Sequence, residues 1–329
     1  MILAGDIGGT NTRLGYFDLE DRRPKSRLIE IFPSRKSNSL EEIVSQLIQK
    51  APQKVEAACF GIAGPILDGV CTTPNLPWVV DSRKLAKLLG LDRVDLINDL
   101  EANAHGISVL RSEDLVELHA GKRDQRGNAG LISAGTGLGE AGLHCMGGEY
   151  QPFASEGGHV DFAPRNEIEI ALLQYLLKKF EHVSYERVLS GPGLINIHRF
   201  LVDTGRGEEP AGLREQLAKE NPGAVITKAA LDRTDPLCEQ AMDIFVSIYG
   251  AEAGNLALKV LATGGVFLGG GMAPRIVSRL QQPAFKEAFW SKGRMSRLLK
   301  DVPIHVIVND KTALLGAARV AFFGVRIAR

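Results

Sequence analysis

Several stretches of this chain combine residues that can hold an oxyanion, orient a hydroxyl or accept a proton. Near the amino terminus, Gly5-Asp6-Ile7-Gly8-Gly9-Thr10-Asn11 follows a short apolar run and precedes the extended pattern Arg13-Leu14-Gly15-Tyr16-Phe17. Gly8 and Gly9 carry no Cβ, so backbone N–H groups there can come close to a phosphate chain. Thr10 and Asn11 add side-chain donors, and Asp6 offers a carboxylate to a phosphate-bound Mg²⁺ and its waters. The same residues would also make an ordinary glycine hairpin. A G-x-G-x-x-G loop is set aside because it should open a helix, whereas Arg13–Phe17 stays extended. A G-x-x-x-x-G-K-[ST] loop is set aside too, since Gly121-Lys122 is followed by Arg123.

Acid–base groups lie further on. Asn98-Asp99 ends the apolar run Val94–Ile97, and ligands of open α/β sheets meet the carboxyl ends of strands. Asp99 there can accept a proton from a substrate hydroxyl, or it can simply cap the helix that follows. Glu156-Gly157-Gly158-His159 sets an acid and an imidazole on a pliable backbone, and Tyr185-Glu186-Arg187 adds another acid. With neither nearby cysteines nor an H-E-x-x-H pattern, His159 is read as a hydrogen-bonding group and not as a zinc ligand. Asn, Asp, Glu and His together supply the donors and acceptors that a polyhydroxylated ligand needs.

The elements that must position these groups alternate between strand and helix. Leu28–Phe32 continues the opening hairpin, and Ser39 with Glu42 forms a capping-box pattern ahead of a helix over Leu40–Ile48. A buried strand over Ala57–Ile62, a helix capped by Asp81 or Ser82, the strand Val94–Ile97 and a helix near Leu100–Leu110 complete a first α/β segment. The stretch Arg111–Asn128 is polar and charged, which sets the first boundary near residue 110. Gly130–Ala134 then runs into Gly135-Thr136-Gly137-Leu138-Gly139, so the second half begins as the first did. Pro152–Pro164 is expected as loop, Glu167–Phe180 as helix and Gly205–Gly212 as surface loop. Ser190-Gly191-Pro192-Gly193 opens another helix, and a long helix covers Pro236–Leu261. The strand Thr263–Leu268 ends in Gly269-Gly270-Gly271, and a strand over Pro303–Val308 precedes a last helix over Thr312–Phe323.

At 329 residues about two domains are expected. Thirty-nine basic and 39 acidic residues leave no net charge, which argues against nucleic acid and against a basic membrane-binding face. No apolar run is long enough to cross a membrane, and the chain enters a strand at once, so no signal peptide is expected. The four scattered cysteines (Cys59, Cys71, Cys145 and Cys238) fit reduced thiols of a cytosolic protein.

Taken in order, Gly5–Thr10, Asn98-Asp99, Gly135–Gly139, Glu156–His159, Ser190–Gly193 and Gly264–Gly271 resemble the bacterial ATP-dependent glucokinase family. That family lies within the actin–hexokinase–Hsp70 ATPase superfamily, and the resemblance runs from Leu3 to about Ala317. It implies an α/β fold of two ribonuclease-H-like (actin-like ATPase) domains flanking a cleft: a small domain over 1–110, joined by a returning helix at 309–329, and a large one over 111–308. It implies phosphorylation of D-glucose at its 6-hydroxyl by ATP, with Mg²⁺ carried on the nucleotide and no direct protein cage for the metal. ATP would meet Gly5, Asp6, Ile7, Gly8, Gly9, Thr10 and Asn11, the turn Gly135, Thr136 and Gly137, and, beside the adenosine, Gly269, Gly270 and Gly271. Asp99 would be the catalytic base, and glucose would be held by Asn98, Asp99, Glu156, His159, Glu186 and Asn75. A cytoplasmic homodimer is implied, with no nucleic-acid or membrane partner. The alternatives are a kinase for mannose, fructose or glucosamine, and an actin- or Hsp70-like ATPase that phosphorylates no sugar. A repressor of the superfamily would need a helix-turn-helix ahead of the first strand. One residue departs from the pattern: Glu140 places a charge directly after the second glycine turn and is expected to face outward.

Overall fold

The computed structural model describes residues 1–324. The chain divides into two compact units. The first holds Met1–Asp114, Glu149–Phe153 and the described residues of Asn309–Arg329, and the second holds Leu115–Gly148 and Ala154–Val308.

In chain order the first unit contains strands β1 (Ile2–Ile7), β2 (Asn11–Glu20) and β3 (Arg23–Pro33), helix α1 (Leu40–Lys50) and strand β4 (Ala57–Ile62). The short strands β5 (Ile66–Leu67), β6 (Val70–Thr72) and β7 (Val79–Asp81), helix α2 (Ser82–Leu89), strand β8 (Asp95–Asn98) and helix α3 (Asp99–Ile107) follow. Strands β9 (Leu115–His119), β10 (Ala129–Ala134), β11 (Leu138–Met146) and β12 (Glu149–Ser155) come next. Helices α4 (Glu167–Leu176), α5 (Gly191–Asp203), α6 (Ala211–Lys219), α7 (Pro222–Asp232) and α8 (Pro236–Lys259) precede strand β13 (Gly265–Gly269). The remainder is α9 (Val277–Leu280), α10 (Pro283–Trp290), α11 (Ser296–Leu299), β14 (Ile304–Ile307) and α12 (Thr312–Phe323).

The two large sheets share one plan. The first is ordered β3-β2-β1-β4-β8, and the second β12-β11-β10-β13-β14 with β9 added at the edge. In each, an antiparallel hairpin leads into two parallel partners: β1 with β4 and β4 with β8, then β10 with β13 and β13 with β14. The twice-used glycine-turn pattern in the sequence is thus a repeated topology, that of the actin-like ATPase fold.

Period-two alternation sorts β1 between two apolar layers. Leu3 and Ile7 join α1 and α2 residues such as Leu40, Ile43, Val44 and Leu85 on one face. Ile2 and Ala4 join Leu314, Ala317 and Ala318 of α12 on the other. Ser39 accepts the Glu42 amide at 3.2 Å, but Glu42 reaches back to the Asn38 amide at 2.8 Å, so the capping box closes one residue early. In the second unit α8 is buried around most of its circumference and forms the centre of the large core.

Several expected boundaries shift. Residues 115–119 form β9 within the polar stretch Arg111–Asn128, an edge strand whose single buried side chain, Leu118, leaves little apolar signal. Pro152 lies in β12, an edge strand, the sheet position where proline is tolerated. Helix α4 ends at Leu176, and bonds from the Lys178 and Lys179 amides to Tyr175 and Leu176 tighten its last turn. Asn98 caps α3 so that the helix begins at Asp99 and closes by Ile107, earlier at both ends than expected. Helix α6 starts inside the expected Gly205–Gly212 loop.

Leu314 is wholly buried between α12 and the first sheet. Leu314→Ala should destabilise the protein by about 2–5 kcal/mol in chemical denaturation, whereas Leu19→Ala, at an exposed position, should stay within about 0.5 kcal/mol. Equal costs for the two would contradict the packing of α12 onto this sheet.

Candidate active site

In the first unit the parallel register brings three chain turns to one sheet edge. Ile7 pairs with Ile62, and Ile62 pairs with Asn98, so β1, β4 and β8 end at the same level. The Gly8–Thr10 turn, the Ala63–Pro65 turn and Asn98-Asp99 all leave from there. The glycine turn closes through the Gly8 amide on the Asn11 carbonyl at 3.0 Å. Ser34 then locks it: its hydroxyl donates to the Gly8 carbonyl at 2.7 Å, and its amide donates to the Thr10 carbonyl at 2.9 Å. Thr12 Oγ1 lies 3.0 Å from the Ser34 hydroxyl. Asn75 is exposed and stands against Gly9, beside a small recess lined by Ile7, Gly8, Ala63 and Thr73.

The Asn-Asp pair divides its work. Asn98 is the N-cap of α3: its Oδ1 accepts the Leu100 amide at 2.9 Å and its Nδ2 donates to the Gly64 carbonyl at 3.2 Å. Asp99 is the first helical residue and shares the Leu100 amide at 3.0 Å through Oδ1. Burial raises the Asp99 carboxyl above its ordinary range, while the Leu100 and Asp99 amides pull it back. Asp6 is pushed up to about 6, chiefly by burial and further by the charges of Asp99 and Asp310, with Arg13 opposing. Arg13 stands directly across the β1–β2 ladder from Asp6. Its Nη1 lies 4.0 Å from Asp6 Oδ2, and its Nη2 lies 3.0 Å from Asp310 Oδ2.

The second unit repeats the arrangement. Ser133 pairs with Gly269, so the Gly135–Gly137 and Gly269–Gly271 turns leave neighbouring strand ends. Gly135 donates to the Gly137 carbonyl at 2.8 Å and accepts from the Gly191 amide at 2.8 Å. Met272 donates to the Ala134 carbonyl at 3.0 Å, tying the second turn to the first. Glu186 Oε2 accepts the Leu138 amide at 2.9 Å. Ser190 fixes the segment from below: its hydroxyl donates to the Glu186 carbonyl at 2.7 Å and accepts the Gly193 amide at 3.0 Å. His159 and Glu186 line one cavity of about 410 Å³ together with His182, Ser184 and Arg187. Glu156 is strongly exposed, with its Oε2 3.9 Å from His159 Nε2.

Each unit therefore gathers its own share of the expected residues: Asp6, Gly8–Thr10, Asn75, Asn98 and Asp99 in one, and Gly135–Gly137, Gly269–Gly271, His159 and Glu186 in the other. Ser34, Arg13, His182 and Arg187 were not anticipated. Ser34 has no local pattern, since its partners lie 22 to 26 residues away. Arg13 could have been found by pairing the hairpin strands across their turn. Glu140 does not face outward. It is 1 % exposed and points into the second unit's core, where burial and the Glu252 charge raise its carboxyl to about 8. β11 pairs with β10 inside the sheet, and the β11 face that carries Glu140 is covered.

A family model described as Glucokinase matches residues 3–322. The glucokinase of a Nostoc species is 42% identical over 339 aligned positions, covering 98% of each chain. The crystal structure of a glucokinase from an Antarctic psychrotroph superposes with a TM-score of 0.85 at 30% identity, covering 98% of both chains. The glucokinase of Balamuthia mandrillaris in complex with glucose shares the fold, with a TM-score of 0.79 at 22% identity over 98% of this chain and 93% of that one.

Because Asp6 holds its proton more tightly folded than unfolded, its contribution to stability is full below its ordinary value of 3.8 and lost as pH rises through about 6. Asp6→Asn should therefore gain stability over the parent across that window and keep the gain above it. Carbon-detected NMR should place the Asp6 titration near 6, higher in Arg13→Leu and lower in Asp99→Asn. A titration at the ordinary value, unmoved by either change, would contradict the coupling.

Proposed function

The chain belongs to the glucokinase family, and from that membership we propose that it transfers the γ-phosphoryl group of ATP to the 6-hydroxyl of D-glucose, giving glucose 6-phosphate and ADP. The observation that carries the reading is Asp99. It is a half-buried carboxyl at the carboxyl end of β8, in the same unit and at the same sheet edge as the glycine turn and Asp6.

Asp99 orients the 6-hydroxyl and takes its proton as the new oxygen–phosphorus bond forms and the bond to the β-phosphate oxygen breaks. The partial positive charge at the start of α3 and the Leu100 amide favour the ionised carboxylate this needs. The Gly8–Thr10 and Gly135–Gly137 turns hold the phosphates through the amides that their own closure leaves over, since those of Gly8 and Gly135 bond within the turns, and Gly269–Gly271 borders the adenosine. Mg²⁺ arrives with ATP as part of the substrate. Asp6 suits it, because a cation there would relieve the repulsion that Asp99 and Asp310 exert on that carboxyl.

The sugar is held by Asn98, Asn75, Glu156, His159 and Glu186. After its two bonds Asn98 still has an amide hydrogen and a lone pair to offer, and Glu186 still has Oε1. The reading also includes a cytoplasmic homodimer acting at the entry to glycolysis. Among the described residues, no helix is long and apolar enough to cross a membrane.

The test is ADP formation from Mg-ATP with glucose, mannose, fructose, glucosamine and no sugar. Glucose should drive turnover well above the rest. Another preferred hexose would change the substrate and keep the mechanism, whereas sugar-independent hydrolysis would favour the ATPase alternative. Asp99→Ala should bind glucose within about tenfold of the parent while losing at least ~10² in kcat, and near-normal turnover would remove Asp99 from the mechanism.

A further inference from the structure

Behind the Glu156–His159 turn lies a set of buried ionisable side chains that the reaction above does not use. Glu140 of β11 and Glu252 of α8 are 1 % and 0 % exposed, and Tyr249, three residues before Glu252, donates at 3.4 Å to the carbonyl of Ile132, the residue paired with Glu140 across the β10–β11 ladder. Burial and the Glu252 charge both raise the Glu140 carboxyl, and a buried pair of acids relieves that repulsion by keeping one proton. Oε1 of Glu140 is buried and faces no donor, an expensive position for an ionised oxygen and a tolerable one for a neutral acid. Glu252 is the better supported member. Lys259 Nζ lies 3.0 Å from its Oε1, and Asn255 Nδ2 donates to its Oε2 at 2.7 Å.

Both sugar-side segments rest on this pair. A Cβ built on Gly157 would fall 2.3 Å from Glu140 Oε2, so the main chain between Glu156 and His159 lies directly on the Glu140 carboxyl. Asn255 Nδ2 also reaches the Tyr185 hydroxyl at 3.0 Å, and Tyr185 immediately precedes Glu186. Lys292 closes the network by donating to the Asn255 side-chain oxygen and, at 2.9 Å, to the Ala251 carbonyl.

We propose that Glu140 is a positioning residue for the sugar site: sharing one proton with Glu252, its carboxyl forms the floor that holds the Glu156–His159 turn in register with Tyr185-Glu186. The proposal rests on the glucose-kinase reading above. If the shared proton leaves, two negative charges meet in a buried site. The carboxyls must then part, and Gly157, with no spare distance to Glu140, must move with them. Sugar affinity should fall while the chemistry at Asp99, in the other unit, is left alone.

The groups that face the pair fix the pH at which this happens. From α8 come Lys259 and the phenol of Tyr249, from the segment before α5 the phenol of Tyr185, and from the loop after α10 Lys292. Arg165, paired with Glu169 at 2.8 Å, acts on Tyr185 and Lys292. Burial raises both phenols, so they stay neutral. Glu140 is held up at about 8, and Lys292 is pushed down to about 8, chiefly by burial. Two groups thus titrate together, and substitutions separate them.

The experiment measures glucose binding by calorimetry without nucleotide, and turnover at saturating glucose, from about pH 6 to about pH 9 in the full chain. In the parent, glucose binding should weaken at least about fivefold as pH passes Glu140's titration, with kcat changing far less. Glu140→Gln, which mimics the protonated acid, should bind within about twofold of the parent at low pH and lose the pH response, whereas Lys292→Met should keep it. Glu140→Ala should weaken binding about tenfold already at low pH, with kcat at saturation nearly preserved.

A Glu140→Gln variant with the parental pH response, or a Glu140→Ala variant that binds like the parent, would overturn the proposal. Melting without ligand supplies a second readout should the alanine variant fail to fold. Glu140 holds its proton more tightly folded than unfolded, so the melting temperature of Glu140→Gln should climb relative to the parent between 4.5 and about 8 and then level off. A difference that does not vary with pH would refute the shared proton. Failure of the parent reading shows separately, as an absence of glucose turnover by the unsubstituted chain near neutral pH.

Discussion

The parallel register of three adjacent strands is the constraint on which the candidate residues of each unit depend. A hydrogen-bonded ladder admits shifts of two residues, not fractions, and any shift would move every buried side chain of the strand relative to its neighbours. In the first sheet Ile7, Ile62 and Asn98 therefore end level, and the turns that follow them project from one edge. In the second, Ser133 and Gly269 do the same. Apolar residues on both faces of these central strands hold the register: Leu3 and Ile7 face one layer, while Ile2 and Ala4 face α12. The polar turns contribute little to stability themselves. They are placed by the burial of side chains several residues upstream.

Once placed, acids at and behind such an edge must be reconciled with loss of water, and the two units do this differently. In the first, burial raises the Asp6 carboxyl although Arg13 faces it across the hairpin, and the charges of Asp99 and Asp310 add to the rise. In the reaction proposed above, that repulsion is what the cation carried by the nucleotide would relieve. In the second, Glu140 and Glu252 lie deeper and bind a proton in place of a mobile cation. Exposure decides between the solutions. A half-exposed acid can wait for a ligand, whereas one sealed beneath a turn must carry its compensation permanently.

The sequence carried most of this architecture and less of its wiring. Strands β1, β4, β8, β10 and β13 were legible because they are short apolar runs ending in glycine or Asn-Asp, and the doubled turn pattern announced a repeated fold. The helices under good caps, at Ser39, Asp81, Ser190 and Asp235, were legible as well. Strand β9 was not, since an edge strand with one fully buried side chain has almost no pattern to detect. Ser34 was missed because its partners at Gly8 and Thr12 become neighbours only when β3 folds back on β2. Glu140 was misread for a related reason: a charge in a strand is usually solvated, and its burial depends on Glu252, more than a hundred residues later. Pairings between distant residues leave no mark in local composition.

The division of labour between Asn98 and Asp99 explains why the pair, and not a lone aspartate, ends β8. An aspartate at the N-cap would spend its oxygens on the first amides of the helix and lose basicity to them, since two or three such bonds can hold a carboxylate well below its ordinary range. Asn98 takes the capping position and also binds the Gly64 carbonyl, which fixes the neighbouring turn. Asp99, one residue later, feels the same helix terminus but shares only one side-chain oxygen with an amide. Burial outweighs the pull of the Leu100 and Asp99 amides and keeps its carboxyl above the ordinary range. The base proposed at Asp99 must be ionised before the reaction and still basic enough to take a proton during it. The first helical position, half-buried behind an asparagine cap, meets both conditions, whereas the cap itself would meet only the first.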